Sequence, residues 1–178
     1  TTQVEPLTVQ TGGGTEYQYD ARQNNLRPFG KVSWSYRFTL PDGSTMTSEV
    51  YSTHYDDTRF DWQSGEAGMI GMHWYTGNAE FSQALLDTAE AGLESVSRLI
   101  PVGPDQPVEF YVYASLNDLR GTLVPGSQEW IAGHADPSLG IVMVAIEPGP
   151  GQETTMQQRI PHELMHILLY RALGDGYA

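Results

Sequence analysis

The chain has 178 residues and a formal net charge of −13, because 22 acidic side chains face only nine lysines and arginines. This length can form one or two domains with a buried core. The charge argues against nucleic acid and anionic membrane surfaces as partners, since there is no basic stripe to neutralise phosphates. The lack of cysteine excludes disulfides and thiolate metal ligands and leaves the cellular compartment open.

The first part of the chain has the pattern of β structure. Apolar and polar side chains alternate strictly in residues 32–40, which is typical of a half-buried strand. Residues 41–44 have turn composition, and residues 45–55 form the predicted return strand of a hairpin. We therefore predict an antiparallel, β-sandwich-like N-terminal domain in residues 1–66, and we expect it to be incomplete at its start.

The apolar face of the first predicted strand is aromatic. It carries Trp34, Tyr36 and Phe38. We interpret these three side chains as core, with a carbohydrate-binding platform as the weaker alternative. Further along the chain, we interpret Asp57 and Arg59 as structural residues.

From about residue 67 the pattern alternates between strands and helices. Asn78 is the predicted N-cap of a long helix that ends near Ile100, and Ser115 is the predicted cap of a short one. The predicted strands are residues 70–75, 108–113, 130–135 and 140–146, and a final helix follows the loop at 147–151. This order predicts a sheet covered by helices. The fold class expected for the whole chain is α+β, with an α/β domain in residues 67–178.

The final predicted helix contains the motif IPHELMH at residues 160–166. Side chains four residues apart on a helix share a face, with Cβ atoms about 5–6 Å apart. His162 and His166 can therefore bind one zinc ion. Glu163 lies to one side, where it can take a proton from the water that zinc activates. We predict zinc as the cofactor, His162 and His166 as its ligands, and Glu163 as the catalytic general base.

Pro161 precedes the first histidine and disfavours the helical conformation at Ile160. We expect the helix either to begin at Pro161 or to kink there. Both alternatives leave the two histidines on one face. The simpler alternative is a helix with two histidines and an incidental glutamate.

A catalytic zinc normally has three protein ligands and a water. The metzincin extension would need a glycine at position 169 and a histidine at 172, where this chain has Leu169 and Ala172. Asp175 is the only acidic residue after Glu163, and on a continued helix it would lie opposite His166. Asp175 is therefore a poor candidate for the third ligand.

The chain from about Gly68 resembles the peptidase MA-like gluzincin domains of bacterial exported proteins. Tyr55 to Trp62 is similar to the end of the β domain that precedes such a peptidase domain. The residues that carry the main resemblance are Trp74-Tyr75-Thr76-Gly77, Trp130-Ile131-Ala132-Gly133 and the motif at residues 160–166.

The resemblance implies a zincin-like metallopeptidase domain in residues 67–178, with a mixed sheet packed on helices and the active-site helix at its C-terminus. It also implies a peptide or protein substrate and a location outside the cell or in the cell envelope. In this family the third ligand is a glutamate well past the second histidine, so we expect it beyond Ala178 and the domain to be truncated. His134 could then line a substrate cleft, although a hydrogen-bonded structural histidine is the favoured interpretation.

Two functional hypotheses follow. The first is a zinc-dependent hydrolase, most simply a peptidase. The second is a non-catalytic extracellular binding or adaptor module that keeps the motif without a working metal site. Neither hypothesis involves nucleic acid or membrane insertion of this chain.

Overall fold

The computed structural model of the chain describes residues 3–9, 12–21, 26–100, 106–123 and 132–174. They form an α+β fold, as predicted. In these residues no helix is long and apolar enough to cross a membrane. The elements in chain order are β1 Lys31–Trp34, β2 Arg37–Thr39, β3 Thr45–Thr47, β4 Tyr51–His54, β5 Gln63–Ala67, β6 Ile70–Trp74, α1 Ala79–Leu99, β7 Val108–Tyr113, α2 Leu116–Thr122, β8 Gly133–Asp136, β9 Ile141–Ala145 and α3 Gln152–Leu173.

A five-stranded mixed sheet has the strand order β5-β6-β7-β9-β8. The central strands β6, β7 and β9 are parallel, and the edge strands β5 and β8 are antiparallel to their neighbours. The predicted strands at 70–75, 108–113 and 140–146 are confirmed as β6, β7 and β9. The strand predicted to begin at Trp130 corresponds to β8 from Gly133 onwards, and residues 130 and 131 lie outside the described residues.

Helices α1 and α3 cover one face of the sheet and pack against each other. The predicted cap of α1 is confirmed, because the Asn78 side chain accepts a hydrogen bond from the Phe81 backbone amide at 2.9 Å. The two helices approach closely at Gly92, where an added Cβ would lie 3.3 Å from Cγ of Pro161. Their shared core with the sheet includes Phe81, Leu85, Met72, Phe110, Val144, Ile160, Leu164 and Ile167.

Helix α3 begins at Gln152 and contains Pro161 in its interior. The predicted alternative in which the helix begins at Pro161 is therefore wrong. The earlier turns form because Met156 and Ile160 are buried in the core and anchor them. Proline has no amide to donate to the carbonyl of Gln157, but Gln157 is exposed, so water can satisfy that carbonyl.

The other face of the sheet is covered by α2 and a cluster of aromatic rings. Phe29 stacks on Tyr111 with ring centroids 3.4 Å apart, and Trp62 meets both rings edge-on. Phe29 has a φ of 60°, a left-handed conformation that costs a non-glycine residue about 1–2 kcal/mol. The burial of its ring against Tyr111 offsets this cost. This contact fastens the segment before β1 to the sheet.

Asp57 joins the segment before β5 to α2 and β7. Its carboxylate accepts hydrogen bonds from the Arg59 guanidinium at 2.7 and 2.8 Å, from the Thr122 hydroxyl at 2.8 Å and from the Tyr113 hydroxyl at 3.0 Å. Burial acts to raise the pKa of Asp57, but these hydrogen bonds outweigh it and lower the pKa to about 2. The structural role predicted for Asp57 and Arg59 is thus confirmed.

This lowered pKa predicts a pH dependence of folding. The stabilisation is present above the unfolded-state pKa of about 4 and is lost as pH falls towards the folded-state pKa of about 2. The Asp57 side chain is 6% exposed but its partner Arg59 is 40% exposed, so we expect a loss of about 1–2 kcal/mol after allowing for screening. Urea unfolding between pH 7 and pH 2 measures it.

Asp57→Asn is expected to lower the free energy of unfolding at pH 7 and to flatten its fall below pH 4. Asp61→Asn is the control for stability at pH 7, because Asp61 is exposed, and we expect a change of less than about 0.5 kcal/mol. An unchanged acid limb in Asp57→Asn would contradict the assignment.

Strands β1 to β4 form one antiparallel hairpin in two ladders, β1 with β4 and β2 with β3. Trp34 pairs with Tyr51, whereas the Tyr36 carbonyl accepts from the Ser48 amide at 2.8 Å. One residue on the outgoing strand therefore lies opposite two on the return strand. This is a β-bulge, which interrupts the continuous strand predicted for residues 32–40.

The prediction that the aromatic face of this hairpin is core is wrong. Trp34, Tyr36 and Phe38 are each about 40% exposed. They do line one face, and Trp34 stacks on Tyr51 with centroids 5.9 Å apart, but in the described part of the chain no second layer buries them. The division of the chain into domains at residues 66 and 67 stays a prediction.

Candidate metal centre

His162 and His166 lie on adjacent turns of α3, with their rings turned towards each other. Their Nε2 atoms are 3.3 Å apart, and the ring planes cross at 83° with centroids 4.9 Å apart. Two nitrogens bound to one tetrahedral zinc at about 2.0–2.1 Å would be separated by about 3.3–3.4 Å. The histidine pair therefore has the spacing that a shared zinc ion requires.

The two rings are accessible from solvent. His162 is exposed and His166 is half-buried. Burial lowers the pKa of His166, and the neighbouring His162 lowers it further. A lowered pKa favours the neutral imidazole, which is the form that binds metal. On the opposite side of α3, Leu164, Ile167 and Leu168 are fully buried and fix the helix on the sheet.

Glu163 lies at the junction between α3 and the edge strand β8. It is only 8% exposed, and its carboxylate rests against Gly133, where an added Cβ would overlap Oε1. Burial raises the pKa of the Glu163 carboxyl, while His162 and Arg159 oppose the rise. A raised pKa makes the carboxylate a better proton acceptor, which is the property that a general base needs.

The sequence missed two residues that shape this junction. Gly133 was noticed only as part of a family-like segment, and the signal that could have identified it is a glycine within a strand, which often marks close approach of another group. Arg159 was not singled out. Its Nη1 donates to the backbone carbonyl of Ala145 and, at 3.5 Å, to that of Ala132.

The third metal ligand is not found among the residues that the structure describes. Within those ranges, no three His, Cys, Asp or Glu side chains come together as a metal-binding group. Asp175, the poor candidate, lies outside them. Of the predicted site residues, the structure brings the rings of His162 and His166 together, while the Glu163 carboxylate lies against Gly133 of β8.

His134 lies on the face of the sheet away from the histidine pair. Along β8, Gly133 meets Glu163 on the helix-covered face and Ala135 packs into the same core. Side chains alternate along a strand, so His134 points to the other face, as does its cross-strand partner Met143. His134 is therefore not placed beside His162 and His166. His73 is paired with Glu109, with Nε2 2.9 Å from Oε2.

Comparison with protein-family models and with curated proteins found no match to this chain. The resemblance to gluzincin peptidases stays a prediction.

Proposed function

We propose that the chain carries the metal-binding and base residues of a zinc-dependent hydrolase that acts on peptide bonds. His162 and His166 are two of the zinc ligands, and Glu163 is the general base. The observation that carries the proposal is the 3.3 Å separation of the two Nε2 atoms, which matches tetrahedral zinc.

In this proposal each residue has a separate task. Zinc, when bound, supplies a Lewis acid that polarises the carbonyl and lowers the pKa of the attacking water. Glu163 accepts a proton from that water and later donates it to the leaving amine, so that no covalent intermediate with the enzyme forms. The exposed side of His162 leaves an open approach for water and substrate, while Gly133 leaves room for the Glu163 carboxylate beside β8.

The family resemblance implies that the third ligand is a glutamate from a segment later than His166. Two histidines alone make a weak site, since catalytic zinc normally has three protein ligands. Zinc binding is therefore best measured on two samples: the 178-residue chain, and a version extended through the segment in which the resemblance places the glutamate.

Zinc titration against a competing indicator tests the metal centre. We expect one zinc ion per extended chain, with weaker binding by the 178-residue chain. Loss of a residue that only hydrogen-bonds to a metal ligand typically lowers metal affinity by about 10–100-fold. His162→Ala removes a ligand itself, so we expect it to lower zinc affinity by more than this. His54→Ala is the matched control, because His54 is an exposed histidine on β4, and it should bind zinc like the unmodified chain.

Two outcomes would contradict the proposal. One is an extended chain that binds no zinc, which would favour the non-catalytic binding or adaptor module. The other is an affinity that His162→Ala and His54→Ala reduce equally, because zinc would then be bound without the histidine pair.

A further inference from the structure

We propose that Arg159 is a positioning residue of the candidate site, which fixes the start of β8 against α3 and thereby orients the Glu163 carboxylate. The catalytic part of this inference rests on the proposed function, whereas the positional part can be measured without activity. The inference begins from contacts that Arg159 makes with the β8–β9 hairpin.

Arg159 binds the open end of this hairpin. Its Nη1 donates to the carbonyls of Ala145, at the end of β9, and Ala132, immediately before β8. These two residues also bind each other, because the Ala145 amide donates to the Ala132 carbonyl at 3.0 Å. A single guanidinium group from α3 thus contacts both strands of the hairpin at its open end.

The same contacts determine where Glu163 can lie. Arg159 is one helical turn before Glu163, and Ala132 directly precedes Gly133. Gly133 is the residue against which the Glu163 carboxylate rests. Any movement of Ala132 away from α3 therefore moves the backbone that borders the carboxylate.

Arginine is suited to this role because its guanidinium is always charged and presents several donors in a fixed plane. Hydrogen bonds from a charged donor to a carbonyl are stronger than neutral ones. Arg159 is also only half-exposed, so water competes less for its donors. The edge strand β8 pairs with only one strand, β9. The hydrogen bonds from Arg159 also attach the start of β8 to α3.

Arg171 provides a matched control on the same helix. Its guanidinium also donates to two backbone carbonyls, that of Gln106 at 2.9 Å and that of Pro107 at 3.3 Å. These contacts attach α3 to the segment before β7 instead of to β8. The substitutions Arg159→Met and Arg171→Met therefore remove the same kind of contact at different places.

The activity-independent test is the nuclear Overhauser effect between the Gly133 α-protons and the Glu163 γ-protons. A Cβ on Gly133 would lie 3.4 Å from Cγ of Glu163, so this signal should be strong in the unmodified chain. We expect Arg159→Met to weaken it at least about threefold and Arg171→Met to preserve it. Arg159→Lys, which keeps the charge and N–H donors but not the planar guanidinium, should recover part of the signal and also serves if Arg159→Met fails to fold.

The catalytic test uses peptide hydrolysis by the zinc-loaded extended chain. We expect Arg159→Met to lower kcat by about 10–100-fold with KM changed less than about threefold, since displacement of a catalytic group by about 1 Å can cost about 100-fold. Arg171→Met should leave kcat within about threefold. Zinc stoichiometry should be unchanged in both variants.

The outcomes separate the two proposals. If the extended chain does not hydrolyse peptides, the proposed function fails, while the Overhauser signal still decides whether Arg159 positions Glu163. If Arg159→Met preserves both the signal and kcat, or changes both no more than Arg171→Met does, the role of Arg159 is overturned. A weakened signal with unchanged kcat overturns its catalytic consequence.

Discussion

Glu163→Gln is expected to abolish most peptide hydrolysis while zinc binding is retained. Glutamine has nearly the same shape as glutamate, so it keeps the buried contact with Gly133. It cannot accept the proton of the attacking water, and loss of a general acid–base group typically costs about 10²–10⁴-fold in rate. Steady-state hydrolysis of a fluorogenic peptide, together with zinc stoichiometry, measures both effects.

Glu153→Gln is the appropriate control for this substitution. Glu153 lies in the first turn of the same helix and is exposed, so kcat should stay within about twofold. Peptide hydrolysis that persists at the unmodified rate in Glu163→Gln would refute the role of Glu163 as base. Loss of zinc in this variant would instead point to a ligand role for the carboxylate.

Leu164→Ala is expected to cause the largest loss of stability of a single substitution near the site. Leu164 lies between the two histidines in the sequence. Its side chain is fully buried on the side of α3 that faces the sheet and α1. Removal of a buried leucine side chain leaves a cavity and typically costs about 2–5 kcal/mol of the free energy of unfolding. Urea unfolding at pH 7 measures this loss.

Leu173→Ala makes the same chemical change at the exposed end of α3, where the side chain is 60% exposed. We expect a loss of less than about 0.5 kcal/mol there. Equal losses in the two variants would mean that α3 does not depend on this core for its position. Because α3 carries both histidines, Leu164→Ala should also weaken zinc binding, whereas Leu173→Ala should not.

Local sequence signals predicted much of the α/β part of the fold. The spacing of Phe81, Leu85 and Ala89 and the cap at Asn78 located α1, since a helix buries one face and needs an acceptor for the free amides of its first turn. The apolar run from Val108 to Tyr113 corresponds residue for residue to β7. These features depend on residues that are close together in the sequence, so a single sequence is enough to predict them.

Features that depend on contacts between distant parts of the chain were harder to predict from the sequence. Alternation in residues 32–40 correctly separated an aromatic from a polar face, but alternation cannot tell whether another layer covers the aromatic face. The sequence left open whether α3 begins at Pro161 or kinks there, because the burial of Met156 and Ile160, which anchors the earlier turns, depends on other elements. Tertiary contacts decided both cases.

The same distinction applies to the candidate site. The spacing of His162 and His166 along a helix is enough to predict that their rings can meet, and the structure brings their Nε2 atoms within 3.3 Å. The contacts of Glu163 with Gly133 and of Arg159 with Ala132 join residues about 30 positions apart. No periodic pattern links such residues, so a single sequence could not have identified them.

The placement of Gly133 on β8 and of Arg159 on α3 also affects how the site could be inherited or transplanted. All described parts of it lie on β8, β9 and α3, which are consecutive elements. A single recombination event spanning residues 133–173 would move the histidine pair, the carboxylate and both of its supports as one cassette. The recipient would need a parallel strand equivalent to β7, with which β9 pairs, and a helix equivalent to α1, against which α3 packs.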